Sequence, residues 1–328
     1  MKTIFVIGNG FDLAHGLKTS YNHFMSSLKS DIPQNRLLSL LRRNKPDYWS
    51  EIEYTYFKLL NAYDDKQFIV KSLKFDSIFR SSKELDENFE HIKELLQNYL
   101  LNEQNELKLI DCYSKLFSAF NDEDTLILDF NYTDTIYKYL NGKGSRIEHI
   151  KIHGELMSVD NPIIFGYAAN VEEAKVLSDK NDEYLMKNIK KLRYLLTDNE
   201  LLLKKYLKES LDSIDVYILG HSCGVSDRLI LHELFTHNKV NSITPFYFGE
   251  MDGFLKTVIN IDRVIDDYGK IEQKEKSFAK LNNYKQSTTM LQHNSTNTNI
   301  DEFMKFVDTM KAKHNNKLSS IGMISSFL

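Results

Sequence analysis

The stretch Ile4–Asp12, with the sequence IFVIGNGFD, is the feature that most constrains the fold. A run of β-branched and aromatic residues ends at Gly8 and Gly10, which is typical of a buried strand that leads into a ligand-binding loop. If this is a first strand and its ligand loop, other segments that combine a strand with a polar turn should converge on the same place.

The same combination of an apolar run and a polar turn recurs along the chain. Candidate strands cover Thr125–Phe130, Ile147–Ile152, Pro162–Phe165, Asp215–Leu219 and Ser242–Phe248. Strands separated by long helical connections indicate a parallel sheet. We therefore predict an α/β fold with a Rossmann-like parallel sheet and large helical insertions.

Two stretches between the candidate strands have helical spacing and are much longer than an ordinary crossover. The first covers about residues 20–120, and the second covers about 171–211, where the many charges predict a solvated outer face. The polar stretch 271–300 is typical of a linker or a mobile surface loop. We predict a Rossmann-like domain over 1–270, with its first insertion over the mouth of a site, and a C-terminal helix and tail over 301–328.

Composition narrows the class of function. The chain has 328 residues with 42% hydrophobic content and a formal charge of -4, without a long basic block, so we expect no direct nucleic-acid binding. Cys112 and Cys223 match neither a disulfide framework nor a zinc spacing. The apolar run Ile4–Ile7 is too short for a signal peptide or a membrane span, so we expect a cytoplasmic protein with no membrane association.

Four predicted strand ends carry polar residues and glycines. They are Gly8–Asp12, Asn131–Asp134, His153–Glu155 and Gly220–Asp227. Ligands of open parallel sheets bind beyond the carboxyl ends of the strands, so we expect these segments to form one site. The first loop departs from the dinucleotide fingerprint G-x-G-x-x-G, because Leu13 stands at the third glycine position. An ordinary dehydrogenase is therefore not expected.

Three side chains at these strand ends are candidates for chemistry. Asn131 offers a donor and an acceptor to ribose hydroxyls or to a water, although a strand-terminal Asn is also a common turn former. His153 is the best candidate for a general base, because imidazole titrates near neutral pH. Asp12 would stabilise positive charge, and an acidic helix N-cap explains it equally well. His149 and His153 lack further metal ligands in the sequence pattern, so we expect no metal.

The segment Gly220–Gly224 supports an alternative, because GHSCG matches the G-x-S-x-G nucleophile elbow of α/β-hydrolases. That fold requires a histidine later in the chain. The downstream histidines are His232, His237, His293 and His314. The first two fall in the helix predicted to follow the elbow, and the others lie in or beyond the polar stretch. A Ser222 hydroxyl that bonds its own turn or a phosphate is the simpler interpretation.

Taken together, the motifs resemble those of a known family. GNGFDLAHGLKTSY near the N-terminus, WSEIE at Trp49–Glu53, DFNYTD, IHGE followed by FGY, and ILGHSCGVSD are similar to motifs of the AbiH-type bacteriophage abortive-infection family, over most of Met1–Met251. They are also similar, more remotely, to those of sirtuin-like NAD-binding domains. The resemblance implies an anti-phage effector that uses NAD as its substrate and responds to an unknown phage trigger. Control would come from homo-oligomer assembly or from a partner protein of the defence system.

The sirtuin resemblance also implies roles for individual residues. Asn131 corresponds to the Asn that meets the nicotinamide ribose, and His153 corresponds to the catalytic His, with Asp12 as the third catalytic candidate. The candidates for binding the cofactor are Gly8, Asn9, Gly10, Phe11, Tyr132, Asp134, Gly154, Gly220, His221 and Ser222. Within this set, the glycine loop would lie near the phosphates and ribose, and the turn that starts at Gly220 would hold the adenosine side.

The departures from the sirtuin pattern bear on the reaction. Asn9, Phe11 and Asp12 replace the small residues usual in the sirtuin loop, and the chain has no Cys-x-x-Cys zinc module. We therefore expect hydrolysis of the nicotinamide–ribose bond rather than deacylation. Such a cleavage passes through an oxocarbenium-like state and requires a desolvated pocket, fixed ribose hydroxyls and a placed water. The alternatives are a non-catalytic sensor of NAD or ADP-ribose and the serine hydrolase.

Overall fold

The computed structural model describes residues 2–28, 35–44, 49–62, 79–120, 124–140, 146–169, 171–266 and 271–325. Within these ranges, parallel strands form one six-stranded sheet. They are β1 (Lys2–Ile7), β2 (Thr125–Asp129), β3 (Glu148–Lys151), β4 (Ile214–Leu219), β5 (Val240–Tyr247) and β6 (Thr288–Thr289). Their order is β3-β2-β1-β4-β5-β6, which is that of dinucleotide-binding Rossmann sheets. The predicted Rossmann-like α/β fold is confirmed.

The predicted strands correspond to the observed strands, with one exception. The run Pro162–Phe165 is not a strand of the sheet, because only a single bridge joins Pro162 to Glu155. The observed sheet also contains β6, which the sequence pattern does not predict. Both differences arise at short segments, where hydrophobic periodicity carries little information.

Both faces of the sheet are buried. Along β1, Ile4 and Val6 face one side, whereas Phe5 and Ile7 face the other, as the alternation of a strand requires. The first side packs against α11 (Asn199–Glu209), α12 (Arg228–Thr236) and α13 (Met251–Asp266). The second side packs against α1 (Asn9–Ala14), α6 (Asp111–Ala119), α7 (Tyr137–Leu140) and α15 (Asn297–Ser325).

The chain between β1 and β2 forms a helical layer with its own hydrophobic core. Its helices are α2 (Tyr21–Ser27), α3 (Arg36–Asn44), α4 (Trp49–Ala62) and α5 (Ser82–Glu103). Phe89 stacks on Tyr56 with ring centroids 3.8 Å apart and on Phe165 at 5.2 Å. Residues 63–78 of the predicted insertion lie outside the described residues.

The second helical excursion divides between the two cores. Its helices are α8 (Val171–Ser178), α9 (Glu183–Met186), α10 (Lys190–Arg193) and α11. Leu177, Leu185 and Ile189 pack into the core of the insertion, whereas Leu203 and Leu207 of α11 pack beneath the sheet. The excursion therefore joins the insertion to the Rossmann-like body.

The C-terminal part differs from its prediction. In place of a linker or mobile loop over 271–300, the structure has α14 (Ile271–Phe278), β6 and the start of α15. Composition misleads here because an edge strand needs mainly backbone pairing: Phe246 pairs with Thr288, and Tyr247 pairs with Thr289. The next two residues, Met290 and Leu291, are buried.

The predicted C-terminal helix docks on the body. Phe303, Val307 and Met310, spaced along one face of α15, are buried against the sheet. Residues 326–328 of the predicted tail lie outside the described residues. Across the part of the chain that the structure describes, no helix combines the length and apolar character needed to cross a membrane.

Candidate functional site

A cavity of about 660 Å³ lies at the carboxyl ends of the central strands. This volume is within the range of small-molecule sites. The segments after β1, β2, β3, β4 and β5 line it, and the helical insertion contributes Glu53, Leu96 and Leu100. The order of the strands reverses between β1 and β4, which is where Rossmann-type sheets bind their ligands.

Asp12 lies at the centre of the first polar cluster in the cavity. It follows β1, and its two partners, Asn131 and Thr133, follow β2. Thr133 Oγ1 donates to Asp12 Oδ2 at 2.6 Å, and Asn131 Nδ2 lies 3.3 Å from Asp12 Oδ1 and 3.1 Å from the carbonyl oxygen of Gly8. Burial raises the pKa of the Asp12 carboxyl to about 7, although a hydrogen bond from Thr133 opposes the rise. The carboxyl therefore exchanges its proton near neutral pH.

Asp12 does not cap the helix that contains it. Helix α1 begins at Asn9, Gly8 occupies the N-cap position, and no side chain caps the helix there. The Asp12 carboxylate instead accepts hydrogen bonds from residues that follow β2. Helix capping therefore does not account for this residue.

A second cluster is centred on Asp227. Its carboxylate Oδ1 lies 2.8 Å from Lys190 Nζ and 3.1 Å from His153 Nε2, and Oδ2 lies 3.4 Å from His221 Nε2. Lys190 Nζ also lies 3.1 Å from Glu53 Oε1. All five side chains line the cavity, and none of these residues is more than 9% exposed.

Opposite charges within this cluster shift the pKa values of its members. Burial disfavours the Asp227 carboxylate, but Lys190 and the nearby histidines outweigh it and hold the pKa of Asp227 well below its usual range. The pKa of Lys190 is raised, because Asp227 and Glu53 outweigh its burial. Burial lowers the pKa of His153, and the Lys190 cation lowers it further. His153 is therefore a neutral imidazole near neutral pH.

The two histidines differ in their hydrogen bonding. His221 Nδ1 accepts from the backbone N–H of Cys223 at 3.0 Å, so the neutral ring carries its proton on Nε2, which faces Asp227. His153 Nε2 is close to Asp227 Oδ1 but is not aligned with it, and this buried nitrogen has no hydrogen-bond partner among the described residues. His153 thus retains hydrogen-bonding capacity that the protein does not use.

The glycines of the first loop allow two strand-end loops to touch. A Cβ on Gly10 would lie 2.8 Å from Gly220 Cα, and a Cβ on Gly8 would lie 2.6 Å from His221 Cα. The backbone N–H groups also bond across this contact, Gly10 to the Gly220 oxygen at 2.8 Å and Gly8 to the Leu219 oxygen at 3.1 Å. Close packing therefore explains these glycines, and their N–H groups are engaged within the protein.

The structure brings most of the predicted site residues together. Those that line the cavity are Asn9, Gly10, Asp12, Asn131, Tyr132, His153, Gly220, His221 and Ser222. Those that do not line it are Gly8, Phe11, Asp134 and Gly154.

The predicted residues outside the cavity have structural roles. Phe11 is fully buried beside Tyr113 on the face of the sheet that packs against α6, and Asp134 pairs with Lys151 at 2.9 Å. Gly154 has a φ of +81°, and a Cβ there would lie 2.2 Å from the Pro162 oxygen. We therefore find no contact with the cavity for these three predicted binding residues.

Sequence reasoning missed Lys190 and the function of Glu53. The charged second excursion predicts a solvated outer face, which is wrong at Lys190, because this side chain is 1% exposed. No local pattern marks this residue. Glu53 belongs to the WSEIE motif, which by itself indicates no role for it, and Asp227 ends the polar segment that follows β4.

The serine-hydrolase alternative lacks a suitable base. Ser222 lines the cavity, but among the described residues no histidine hydrogen-bonds to its hydroxyl. The adjacent His221 instead faces Asp227. Helix α12 begins at Arg228, six residues after Ser222, so the sharp strand-to-helix turn of a nucleophile elbow is also missing.

The paired histidines do not form a metal site. His149 Nε2 lies 3.2 Å from Asp129 Oδ2, on β3, whereas His153 lies beyond the end of that strand, in the cavity. Within the described residues, no group of three or more His, Cys, Asp or Glu side chains is arranged to hold a metal ion.

The fold and site define an α/β protein of the Rossmann-like type, with a cavity at its switch point into which buried polar and charged side chains face. A family model described as bacteriophage abortive infection AbiH matches residues 4–248. The chain therefore belongs to the AbiH family, and this membership indicates a role in abortive infection by bacteriophage. The comparisons found no curated protein and no solved structure that matches the chain.

Proposed function

We propose that the protein is an abortive-infection effector that hydrolyses NAD at the nicotinamide–ribose bond. One observation supports this proposal most directly. Asp12, Asn131 and His153, the candidates that the sequence motifs single out, line one buried cavity at the switch point of a sheet with dinucleotide-binding strand order. The sirtuin-like character of the motifs remains a prediction that agrees with this arrangement.

The proposed reaction divides among the three side chains. Water attacks the ribose C1′, the bond from C1′ to the nicotinamide nitrogen breaks, and its electron pair neutralises the pyridinium ring. His153, as a neutral imidazole, takes the proton of the water. Asn131 Nδ2 is engaged by Asp12 and Gly8, so its Oδ1 remains to accept a hydrogen bond from a ribose hydroxyl.

Asp12 would stabilise the oxocarbenium-like transition state. A carboxylate in a site shielded from water interacts strongly with a developing positive charge. Because the pKa of Asp12 is about 7, the ionised form becomes dominant only above neutral pH. The rate of NAD cleavage should therefore increase as the pH rises through about 7.

Nicotinamide release tests the proposal. Purified protein, alone and with infected-cell extract, is incubated with NAD, and nicotinamide and ADP-ribose are quantified by chromatography. His153→Ala should reduce cleavage by about 100-fold or more, because general-base catalysis contributes about that much. Asn131→Ala should abolish activity because it loses the group that positions the ribose, and both variants should lose phage protection. His149→Ala, which removes a histidine outside the cavity, should retain activity. Full phage protection by both cavity variants would refute the enzymatic function.

The same assay separates the alternatives. Intact NAD that stays bound without nicotinamide release under either condition would identify a nucleotide sensor instead. Ser222→Ala should retain some activity. Complete loss of activity in this variant, together with labelling of Ser222 by a fluorophosphonate probe, would identify a serine hydrolase.

A further inference from the structure

Buried charges connect the helical insertion to the cavity. Glu53 lies on α4, Lys190 begins α10, and Asp227 follows β4, so three separate parts of the chain meet at one point. Lys190 Nζ donates to Glu53 Oε2 at 3.2 Å, to Asp227 Oδ1 at 2.8 Å and to the Ser226 carbonyl oxygen at 3.1 Å. An ammonium group has three donors. All three are used within the protein, so Lys190 has no donor left for a substrate.

Asp227 stands between Lys190 and the imidazoles. Its Oδ1 lies close to both Lys190 Nζ and His153 Nε2, while Oδ2 faces His221. A group that fixes the position of the Asp227 carboxylate or compensates its charge therefore changes the electrostatic environment of His153. The only cation in contact with the carboxylate, among the described residues and apart from the histidines themselves, is Lys190.

We propose that Lys190 is a positioning residue that acts through Asp227 on the orientation and protonation of His153. The Lys190 ammonium holds Asp227 Oδ1 in place and compensates the negative charge of the carboxylate. The carboxylate therefore stabilises the protonated form of the His153 imidazole less. Glu53 holds Lys190 from the opposite side. The titratable groups that face His153 are Asp227, Lys190, His221, Tyr132 and Tyr194.

Only one consequence of the Lys190 contacts depends on catalysis. A neutral His153 is the form that accepts a proton, and this consequence rests on the proposed function. The effect of Lys190 on the protonation of His153 depends only on the buried contacts. The two are tested separately, by titration and by kinetics.

Titration of the histidines by NMR tests the effect on His153. The His153 signal is assigned by its absence in His153→Gln. Lys190→Met removes the cation and leaves Asp227 unopposed, so the pKa of His153 should rise by roughly one to three pH units, the usual effect of a close opposite charge. An unchanged pKa of His153 in a folded Lys190→Met protein would overturn the inference.

Two variants control for disruption of the network. Glu53→Gln removes a partner of Lys190 but keeps the cation beside Asp227, so the pKa of His153 should stay below its ordinary value. Lys93→Met removes another buried lysine, which donates to Asn188 at 2.6 Å, and should leave His153 unaffected. A rise in Glu53→Gln as large as that in Lys190→Met would refute a role for the cation itself.

A double variant covers the case in which Lys190→Met does not fold. Removing one partner of a buried ion pair is more costly than replacing both. Lys190→Met combined with Glu53→Gln removes both charges of the pair and leaves Asp227 unopposed. The pKa of His153 should rise in this variant as well, and an unchanged value would contradict the inference.

Kinetics then test the consequence for the reaction. In Lys190→Met, the raised pKa of His153 should add to that of Asp12 at about 7, so the acid limb of the pH profile of kcat/KM for NAD should steepen and move to higher pH, whereas Lys93→Met should keep the wild-type profile. An unmoved limb, despite a His153 pKa raised to that of Asp12 or above, would overturn the catalytic role of Lys190. If the wild-type protein releases no nicotinamide, the proposed function fails and the titration alone decides the inference.

Discussion

At the scale of single residues, Asp12 and Asp227 show how the surroundings separate two carboxyl groups of one cavity. Asp12 is surrounded by neutral hydrogen-bond donors, and burial raises its pKa to about 7. Asp227 is surrounded by a lysine and two histidines, and they keep its pKa well below the usual range. Two groups with opposite shifts can carry different roles at the same pH.

The raised pKa of Asp12 predicts a pH-dependent stability. Its value is about 7 in the folded protein against an ordinary 3.8, so the unfolded chain releases this proton first as the pH rises. Folding stability therefore falls between about pH 4 and pH 7, and Asp12→Asn removes this loss. The unfolding free energy of the variant relative to wild type should increase by up to about 4 kcal/mol from pH 4 to pH 8. Urea unfolding at both pH values measures it, and a difference independent of pH would contradict the shift.

At the scale of elements, the start of helix α1 after β1 packs directly against the loop after β4. Gly10 belongs to helix α1, where an alanine would ordinarily stabilise the helix by about 0.5–1 kcal/mol. The position is not open, however, because a Cβ would meet the backbone of Gly220 at 2.8 Å. Backbone cannot move aside as a flexible side chain can. The glycine therefore permits contact between two loops that line the cavity.

Gly10→Ala tests this packing by the sign of its effect. We expect the variant to be destabilised by about 1–3 kcal/mol, because an overpacked contact outweighs the gain in helix propensity. Urea unfolding of the variant and of wild type, without ligand, measures the difference. Equal or higher stability of Gly10→Ala would show that the loop is open, as a free phosphate loop would be.

At the scale of the whole molecule, the cavity belongs to the sheet and to the helical insertion together. Segments that follow the strands provide Asp12, Asn131 and His153, whereas the insertion provides Leu96 and Leu100. The buried contacts of Lys190 join these two parts at the cavity. A ligand in the cavity would therefore contact both and stabilise them together.

Hydrogen exchange with ADP-ribose tests this joint stabilisation. ADP-ribose is the proposed product, so binding is measured without turnover. Exchange should slow in peptides of α5 around Leu96–Leu100 and in the loop Gly220–Asp227, and it should be unchanged in α14, which does not line the cavity. Protection limited to the loop would show that the insertion does not close on the ligand.

Local sequence patterns by themselves determined most of the sheet and part of the site. Apolar runs that end in polar turns predicted the strands, the Rossmann-like class and the convergence of Asp12, Asn131 and His153 at strand ends, because the period of a strand and the parallel arrangement of βα units are properties of short segments. The AbiH motifs depend on the same local residues. These features needed no knowledge of how distant segments pack.

Only the tertiary structure decided the charges of the cavity. Lys190 and Glu53 are separated by 137 positions in the chain, and in the sequence each resembles an ordinary charge on a helix surface. In the fold both are buried, and Lys190 contacts both Glu53 and Asp227. The stretch 271–300 likewise has a polar composition, yet backbone pairing with β5 makes part of it a strand. In both cases the deciding interaction joins residues far apart in sequence, and the free energy of a buried charge or a strand pair depends on that partner.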